Sequence, residues 1–246
     1  MGLGQTPSDL LERLFRLPFV KIEFDYNFCQ YRGRIPHKVL GNAECSCPFG
    51  ISGHPKLAEI YGRIQSNALH NFFMSERQRS LFSVHLPFLD FSKTSVLSSC
   101  FTSEHLAMFK RLRESRVSNG RYAVIAGSGG WHSEAKGTTK SVEYCQVNDL
   151  QFDIIPTMEY DLLINTISGY AGLVSLPQID DTCPRVAIEA KLLGLDIITN
   201  INSQHVTEWW WKLDAEGIEQ YLKSRPKFFW DVIDYVRNHS SDPQRG

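Results

Sequence analysis

From about Tyr122 onward, short apolar runs bounded by Gly, Pro, Asn or Ser alternate with segments of helical periodicity. This alternation is typical of a parallel sheet whose strands are joined by crossover helices. Pro184 suits the first turn of one helix, and Gly194 suits its C-terminal cap. The pattern predicts strands at 95–99, 122–126, 153–156, 172–176 and 196–199, and helices at 103–116, 138–148, 159–168 and 184–193. The predicted fold class is α/β, with a Rossmann-like parallel-sheet domain.

The first ninety residues follow a different pattern. A strand is predicted at Phe19–Phe24, and 56–81 is mostly helical apart from a short strand at 71–74. Between them lies a stretch rich in Gly, Pro and Cys with little periodicity. We therefore predict a partial, irregular N-terminal domain at 1–92 and a Rossmann-like domain at 93–246, which ends in two helices at 214–224 and 227–238.

Composition limits the possible functions. A chain of 246 residues with 42% hydrophobic content can bury one substantial core and part of a second. Its 26 basic and 27 acidic residues give a net charge of -1, so there is no strong signal for nucleic-acid binding. No apolar run approaches the roughly 18 residues of a membrane span, and the N-terminus lacks a signal-peptide pattern. A cytoplasmic location is expected.

An acidic pair marks the segment from Leu176 to Asn200, which reads as strand, loop, helix and strand. Asp181 lies in the loop, and Glu189 is expected about two turns into the helix. The free N–H groups and positive dipole end of that helix favour an anion between the two carboxylates. Two other readings stay open: Glu189 as the solvent-facing position of an amphipathic helix, and Asp181 as a turn or N-cap carboxylate.

A glycine-rich turn follows the strand at 122–126. It reads Gly-Ser-Gly-Gly-Trp-His from Gly127 to His132, with Lys136 and Gly137 after it. The turn lacks the third glycine of the dinucleotide fingerprint, and its lysine precedes a glycine where a P-loop lysine follows one. Exposed N–H groups in such a turn can bind an anion. The turn could equally serve only to connect a strand to a helix.

The acidic pair, the glycine turn and the order of elements from about Ser95 to Trp211 resemble the C-terminal, donor-binding domain of retaining GT-B glycosyltransferases of family 4 type. In that family the first acidic position is most often Glu, so Asp181 would have to reach further. The segments 21–26 and 71–78 resemble parts of the acceptor-side domain, which is shortened here. The resemblance implies a hexosyltransferase-like enzyme that transfers a sugar from a nucleoside diphosphate sugar to an unknown acceptor with retention.

The resemblance also implies roles for individual residues. Glu189 would hold the ribose hydroxyls, and Asp181 would address the sugar together with the backbone at Thr182 and Cys183. The residues implied at the diphosphate are Ser128, Gly129, Lys136 and Arg185. No cofactor is required for catalysis in that family. The acceptor could be a glycan, a lipid-linked molecule or another compound, and a second copy or a partner subunit could complete the shortened half.

A separate cluster of thiols and imidazoles lies in the irregular N-terminal segment. Cys29, His37, Cys45 and Cys47 could hold a structural zinc ion, although their spacing is not that of a standard zinc finger. The other interpretation is free thiols and scattered histidines. A non-catalytic donor-domain relic that binds a metal or a partner is therefore an alternative function. A third is another enzyme on the same fold, such as a sugar-nucleotide epimerase or a phosphorylase.

Overall fold

The computed structural model describes residues 12–29, 31, 33–42, 44, 55–127 and 135–239. The chain divides into two compact units. The first comprises 1–98 and 225–246, and the second comprises 99–224. This division differs from the predicted one at 92/93, because the end of the chain returns to the first unit.

The first unit contains a three-stranded parallel sheet in the order β1-β2-β3. Its strands are β1 Val20–Glu23, β2 His70–Phe73 and β3 Thr94–Val96. Among the described residues before 98, its helices include α1 Arg34–Gly41, α2 Pro55–Asn67, α3 Glu76–His85 and the 3₁₀ turn Phe91–Lys93. Aromatic side chains dominate its core, where Phe82 packs on Tyr26, Phe28 and Phe73. This unit is a small α/β layer with its own parallel sheet.

The third strand corrects one prediction. The run at 95–99 was assigned to the second sheet, but β3 pairs in parallel with β2, with Phe72 opposite Ser95. Leu97 N continues the ladder by donating to Phe73 O at 2.7 Å. The apolar pattern that marks a strand does not specify its partner, because pairing depends on long-range packing.

The second unit contains a four-stranded parallel sheet in the order β5-β4-β6-β7. Its elements are α4 Ser103–Glu114, β4 Tyr122–Ile125, α5 Thr138–Val147, β5 Phe152–Ile155, α6 Tyr160–Ser168, β6 Gly172–Ser175, α7 Arg185–Leu192, β7 Asp196–Thr199, and the 3₁₀ turns Gln204–Thr207 and Trp209–Lys212. Alternate residues face opposite layers: Ala123 and Leu173 enter the core with α7, whereas Val124 and Val174 pack with Cys145 of α5. Helices therefore cover both faces of the sheet, and the predicted α/β fold class is confirmed.

A final helix, α8, runs without interruption from Ala215 to His239, although two helices were predicted there. Pro226 lies inside it and removes one backbone hydrogen bond. Apolar faces on both sides of the proline outweigh this cost: Ile218 and Leu222 are buried, and Phe229 packs on Phe72 at 5.1 Å between ring centroids. Across the described residues, none of the helices combines the length and apolar character needed to cross a bilayer.

The order in which the chain adds strands to the second sheet reverses between β4 and β6. From β4 the chain moves outward to β5, then returns to the other side of β4 and continues through β6 to β7. Open α/β sheets bind ligands in the crevice outside the carboxyl ends of the strands at such a switch point. The loops that follow β4 and β6 therefore flank the candidate ligand crevice.

Candidate functional site

Gly137 brings the two loops at the switch point into contact. Its φ is +74°, a left-handed conformation that favours glycine, and it caps the start of α5. A Cβ at this position would lie 1.8 Å from Leu176 O, at the end of β6. The buried Ser141 Oγ reinforces the junction, since it donates to Gly137 O at 2.8 Å and accepts from Leu176 N at 3.0 Å.

This junction places Lys136 beside Asp181. Lys136 Nζ donates to Asp181 Oδ2 at 2.8 Å across the two loops. The lysine side chain is 62% exposed and the aspartate 15%, so the ammonium can move more freely than the carboxylate. The sequence predicted each residue separately, and the structure pairs them.

The backbone around Asp181 is held on both sides. Asp181 N donates to Asn202 O at 2.8 Å, and Gln204 N donates to Asp181 O at 3.0 Å. These bonds tie the acidic loop to the segment after β7. The N-cap of α7 is Pro184, with no side-chain capping bond, so the alternative reading of Asp181 as an N-cap is wrong.

Helix α7 begins next to this loop, at Arg185. Arg185 N donates to Cys183 O at 2.8 Å, whereas the amides of Val186 and Ala187 have no hydrogen-bond acceptor among the described residues. Gly194, with φ +72°, ends the helix as predicted: its N–H donates to Lys191 O, and Leu195 N donates to Ala190 O. The helix thus directs its positive end toward the switch point.

Glu189 is the fifth residue of α7, a little over one turn from the start, because the helix begins at Arg185. It is 1% exposed, so the reading as a solvent-facing residue is wrong. Tyr160 Oη donates to Glu189 Oε1 at 2.9 Å, and Arg185 Nε lies 3.4 Å from the same oxygen. Burial raises the pKa of Glu189, while the Tyr160 hydrogen bond and the Arg185 charge oppose that rise.

Three further predicted donor residues, Thr182, Cys183 and Arg185, lie between Asp181 and Glu189 in the sequence. Thr182 is buried, and Cys183 Sγ lies 3.0 Å from Ser99 Oγ. Burial raises the pKa of Cys183, which keeps it a thiol at neutral pH. The guanidinium of Arg185 lies 4.8 Å from the ring centroid of Phe101. The structure therefore gathers Lys136 and the predicted residues 181–189 at one edge of the sheet.

Two predicted residues, Ser128 and Gly129, lie outside the described residues. The turn is described at its start, where Gly127 N donates to Thr138 Oγ1 at 3.1 Å. Thr138 Oγ1 in turn donates to Ile125 O at 3.2 Å. The loop after β4 is thereby anchored to the first turn of α5.

Sequence reasoning missed Tyr160. This residue opens α6, and its ring makes an edge contact with His105 at 5.6 Å between centroids. Burial, followed by the charge and hydrogen bond of Glu189, raises the pKa of Tyr160, so its hydroxyl remains a proton donor. Its position just past the end of β5 was the available signal, because residues at that edge of the sheet face the ligand crevice.

In the first unit, the predicted metal ligands Cys29 and His37 lie together. Cys29 Sγ is 3.3 Å from His37 Nδ1, and both residues are buried. Cys45 and Cys47 lie outside the described residues. Within the part of the chain that the structure describes, no group of three or more His, Cys, Asp or Glu side chains is arranged to hold a metal ion.

No protein-family model and no curated protein matches the sequence. Among solved structures, the chain is similar to a sucrose-phosphate synthase from Thermosynechococcus elongatus, with a TM-score of 0.51 and 12% identity over 92% of this chain and 65% of the synthase. It also matches the GtfA/B complex (TM-score 0.45, 11% identity, 93% of this chain and 51% of that one) and the wall teichoic acid polymerase TagF (TM-score 0.30, 12% identity, 78% and 57%).

At this level of identity, the similarity to the synthase establishes the fold alone. The fold is the α/β architecture of GT-B glycosyltransferases, with parallel sheets and helices. The chain spans 65% of the length of the synthase that it matches.

Proposed function

We propose that this protein transfers a sugar from a nucleoside diphosphate sugar to an acceptor, with retention of the anomeric configuration. The observation that carries the proposal is the position of Lys136, Asp181 and the N-terminus of α7 at the sheet switch point. A cation, a carboxylate and free helix amides there meet the needs of a sugar diphosphate. The carboxylate accepts from sugar hydroxyls, and the amides and the ammonium bind the phosphates.

The chemical demand is greatest at the leaving group. Breaking the bond between the sugar and the diphosphate places additional negative charge on a phosphate oxygen. The dipole of α7 and the ammonium of Lys136 would stabilise that charge, because they are positioned before the reaction begins. No metal ion or cofactor is part of this proposal. Ser128 and Gly129 would add backbone amides from the turn after β4.

Donor binding would break the ion pair between Lys136 and Asp181. The more exposed lysine would turn toward the diphosphate, while the backbone bonds of Asp181 keep its carboxylate in place for the sugar. Thr182 and Cys183 would contribute backbone groups beside it. Glu189, one turn into the helix, would accept from the ribose hydroxyls.

The fold supports this choice, because it is similar to that of a sucrose-phosphate synthase, a glycosyl-transfer enzyme. We propose that the acceptor is a glycan, a lipid-linked molecule or another compound. We also propose that the protein is cytoplasmic and that a second copy or a partner subunit completes the acceptor side.

Donor binding can be tested by thermal unfolding against uridine, guanosine and adenosine diphosphates and their glucose conjugates. A ligand at about a hundred times its Kd adds about 2.7 kcal/mol to the free energy of unfolding. We expect one nucleotide family to stabilise the wild type. In Lys136→Gln and Glu189→Ala, the affinity should fall about tenfold or more, because each loses a charge-assisted contact.

Lys140→Gln is the matched control, since Lys140 also lies on the protein surface, in the first turn of α5, but pairs with Glu143 at 2.8 Å. Its nucleotide affinity should stay within about twofold of wild type. The donor site is refuted if no nucleotide stabilises the wild type, or if Lys136→Gln and Lys140→Gln weaken binding equally. The anomeric configuration of the first product, read by proton NMR, tests retention and separates sugar transfer from epimerisation.

A second candidate function is a zinc-binding module, which the Cys29–His37 pair favours. Tetrahedral zinc with its usual bonds to sulfur and nitrogen would separate these two atoms by about 3.6 Å. The observed 3.3 Å is close to that value. With Cys45 and Cys47 the sequence supplies four ligands, and the metal content of the purified protein tests this proposal.

A further inference from the structure

The two oxygens of the Glu189 carboxylate differ in their hydrogen-bond partners. Tyr160 Oη and Arg185 Nε both donate to Oε1, at 2.9 and 3.4 Å. A carboxylate oxygen has two acceptor sites, so Oε1 is fully occupied. Oε2 accepts no hydrogen bond from the described residues.

Because Glu189 is buried, the difference between its two oxygens limits how a ligand can bind the carboxylate. Glu189 is 1% exposed, and Oε1 already accepts from two donors, so Oε2 is the oxygen that remains for a ligand hydroxyl. An aspartate or glutamate free to rotate would present either oxygen, whereas the two donors on Oε1 fix the carboxylate plane. Tyr160 contributes the shorter of these bonds.

Three helices meet around this group. Tyr160 is the first residue of α6, Arg185 is the first residue of α7, and His105 lies in the first turn of α4 with its ring against Tyr160. The edge contact with His105 and the start of α6 restrict the tyrosine ring. Tyr160 is therefore held on rigid elements rather than on a loop.

We propose that Tyr160 is a positioning residue that presents Glu189 Oε2 to the sugar hydroxyls of the bound nucleotide and so sets the preference for ribose over 2′-deoxyribose. This inference rests on the proposed donor site. Removal of the tyrosine hydroxyl frees Oε1 to rotate into the site, and the single fixed acceptor is lost. The ribose hydroxyl then contributes less to binding, although Glu189 itself is still present.

The test compares Tyr160→Phe with wild type by calorimetric titration of uridine, guanosine and adenosine diphosphates and their 2′-deoxy forms. We expect the ratio of ribonucleotide to deoxyribonucleotide affinity to fall about tenfold, which corresponds to one charge-assisted hydrogen bond. The low-pH limit of ribonucleotide binding should also move to higher pH, because the lost hydrogen bond had lowered the pKa of Glu189.

Tyr170→Phe provides the matched control. Tyr170 Oη also donates to a carboxylate, Asp153 Oδ2, at 3.2 Å, but it lies just before β6 at the opposite edge of the sheet. This variant should lose stability without any change in the affinity ratio. A Tyr160→Phe variant that keeps the wild-type ratio and pH limit, with only a lower unfolding temperature, overturns the role of Tyr160 and leaves the donor site standing. Absence of nucleotide binding by the wild type overturns both.

Discussion

The contact between Gly137 and the end of β6 gives the sharpest test of how the site is built. In Gly137→Ala, the new Cβ would lie 1.8 Å from Leu176 O and 2.4 Å from Leu176 C. These are backbone atoms of the loop that carries Asp181, so no side-chain rotation can relieve the clash. The loop after β4 and the loop after β6 must separate.

Two costs add in this variant. A non-glycine residue in the left-handed region costs about 1–2 kcal/mol. Forcing packed groups apart costs typically about 1–3 kcal/mol more. We therefore expect Gly137→Ala to lower the free energy of unfolding by about 3 kcal/mol or more. Nucleotide affinity should fall with it, because Lys136 and Asp181 no longer lie together.

Gly120→Ala separates the two costs. Gly120 has a similar φ of +77°, lies in the same unit, and has nothing within 4 Å of an added Cβ. This variant should lose only about 1–2 kcal/mol and keep its ligand affinity. Urea denaturation of both variants measures the difference. Equal losses of stability would refute the close approach at Gly137 as the reason for glycine there.

Three further outcomes are expected. Because the pKa of Glu189 is raised by burial, its ionisation lowers the free energy of unfolding as the pH rises above the ordinary value of 4.5. The free energy of unfolding of Glu189→Gln relative to wild type should therefore increase between about pH 4 and pH 7 in urea titrations. A decrease would contradict the burial argument. Lys136→Gln should change the free energy of unfolding by less than about 1 kcal/mol, because its ion pair with Asp181 is largely exposed on the lysine side; a larger loss would make the lysine chiefly structural. If zinc is bound, a chelator should lower the unfolding temperature of wild type but not of Cys29→Ser. Full metal content in Cys29→Ser or in His37→Ala would exclude Cys29 and His37 as ligands.

Local sequence signals predicted much of the second unit. The helices α4, α5, α6 and α7 lie within a few residues of their predicted bounds, and Gly194 ends α7 in the left-handed conformation that its position indicated. These features depend on hydrophobic periodicity, glycine and proline, which act within one or two turns of the chain. The sequence also indicated Asp181, Glu189 and Lys136 as individual candidates.

Long-range features needed the structure. The strand at 94–96 joined the first sheet, and α8 continued through Pro226 because residues on both sides of the proline find buried partners. Neither outcome is visible in local periodicity. Each depends on which distant surfaces pack best, a competition that single-sequence patterns do not describe.

The sequence by itself determined the α/β class, the individual residues of the proposed donor site and the limits of most elements in the second unit. Only the tertiary structure decided which of those residues meet. Lys136 and Asp181 are 45 positions apart and join because β4 and β6 are neighbours, and Tyr160 reaches Glu189 across 29 positions because α6 packs beside α7. Such contacts arise from strand order and helix packing, whose energies are summed over the whole core rather than along the chain.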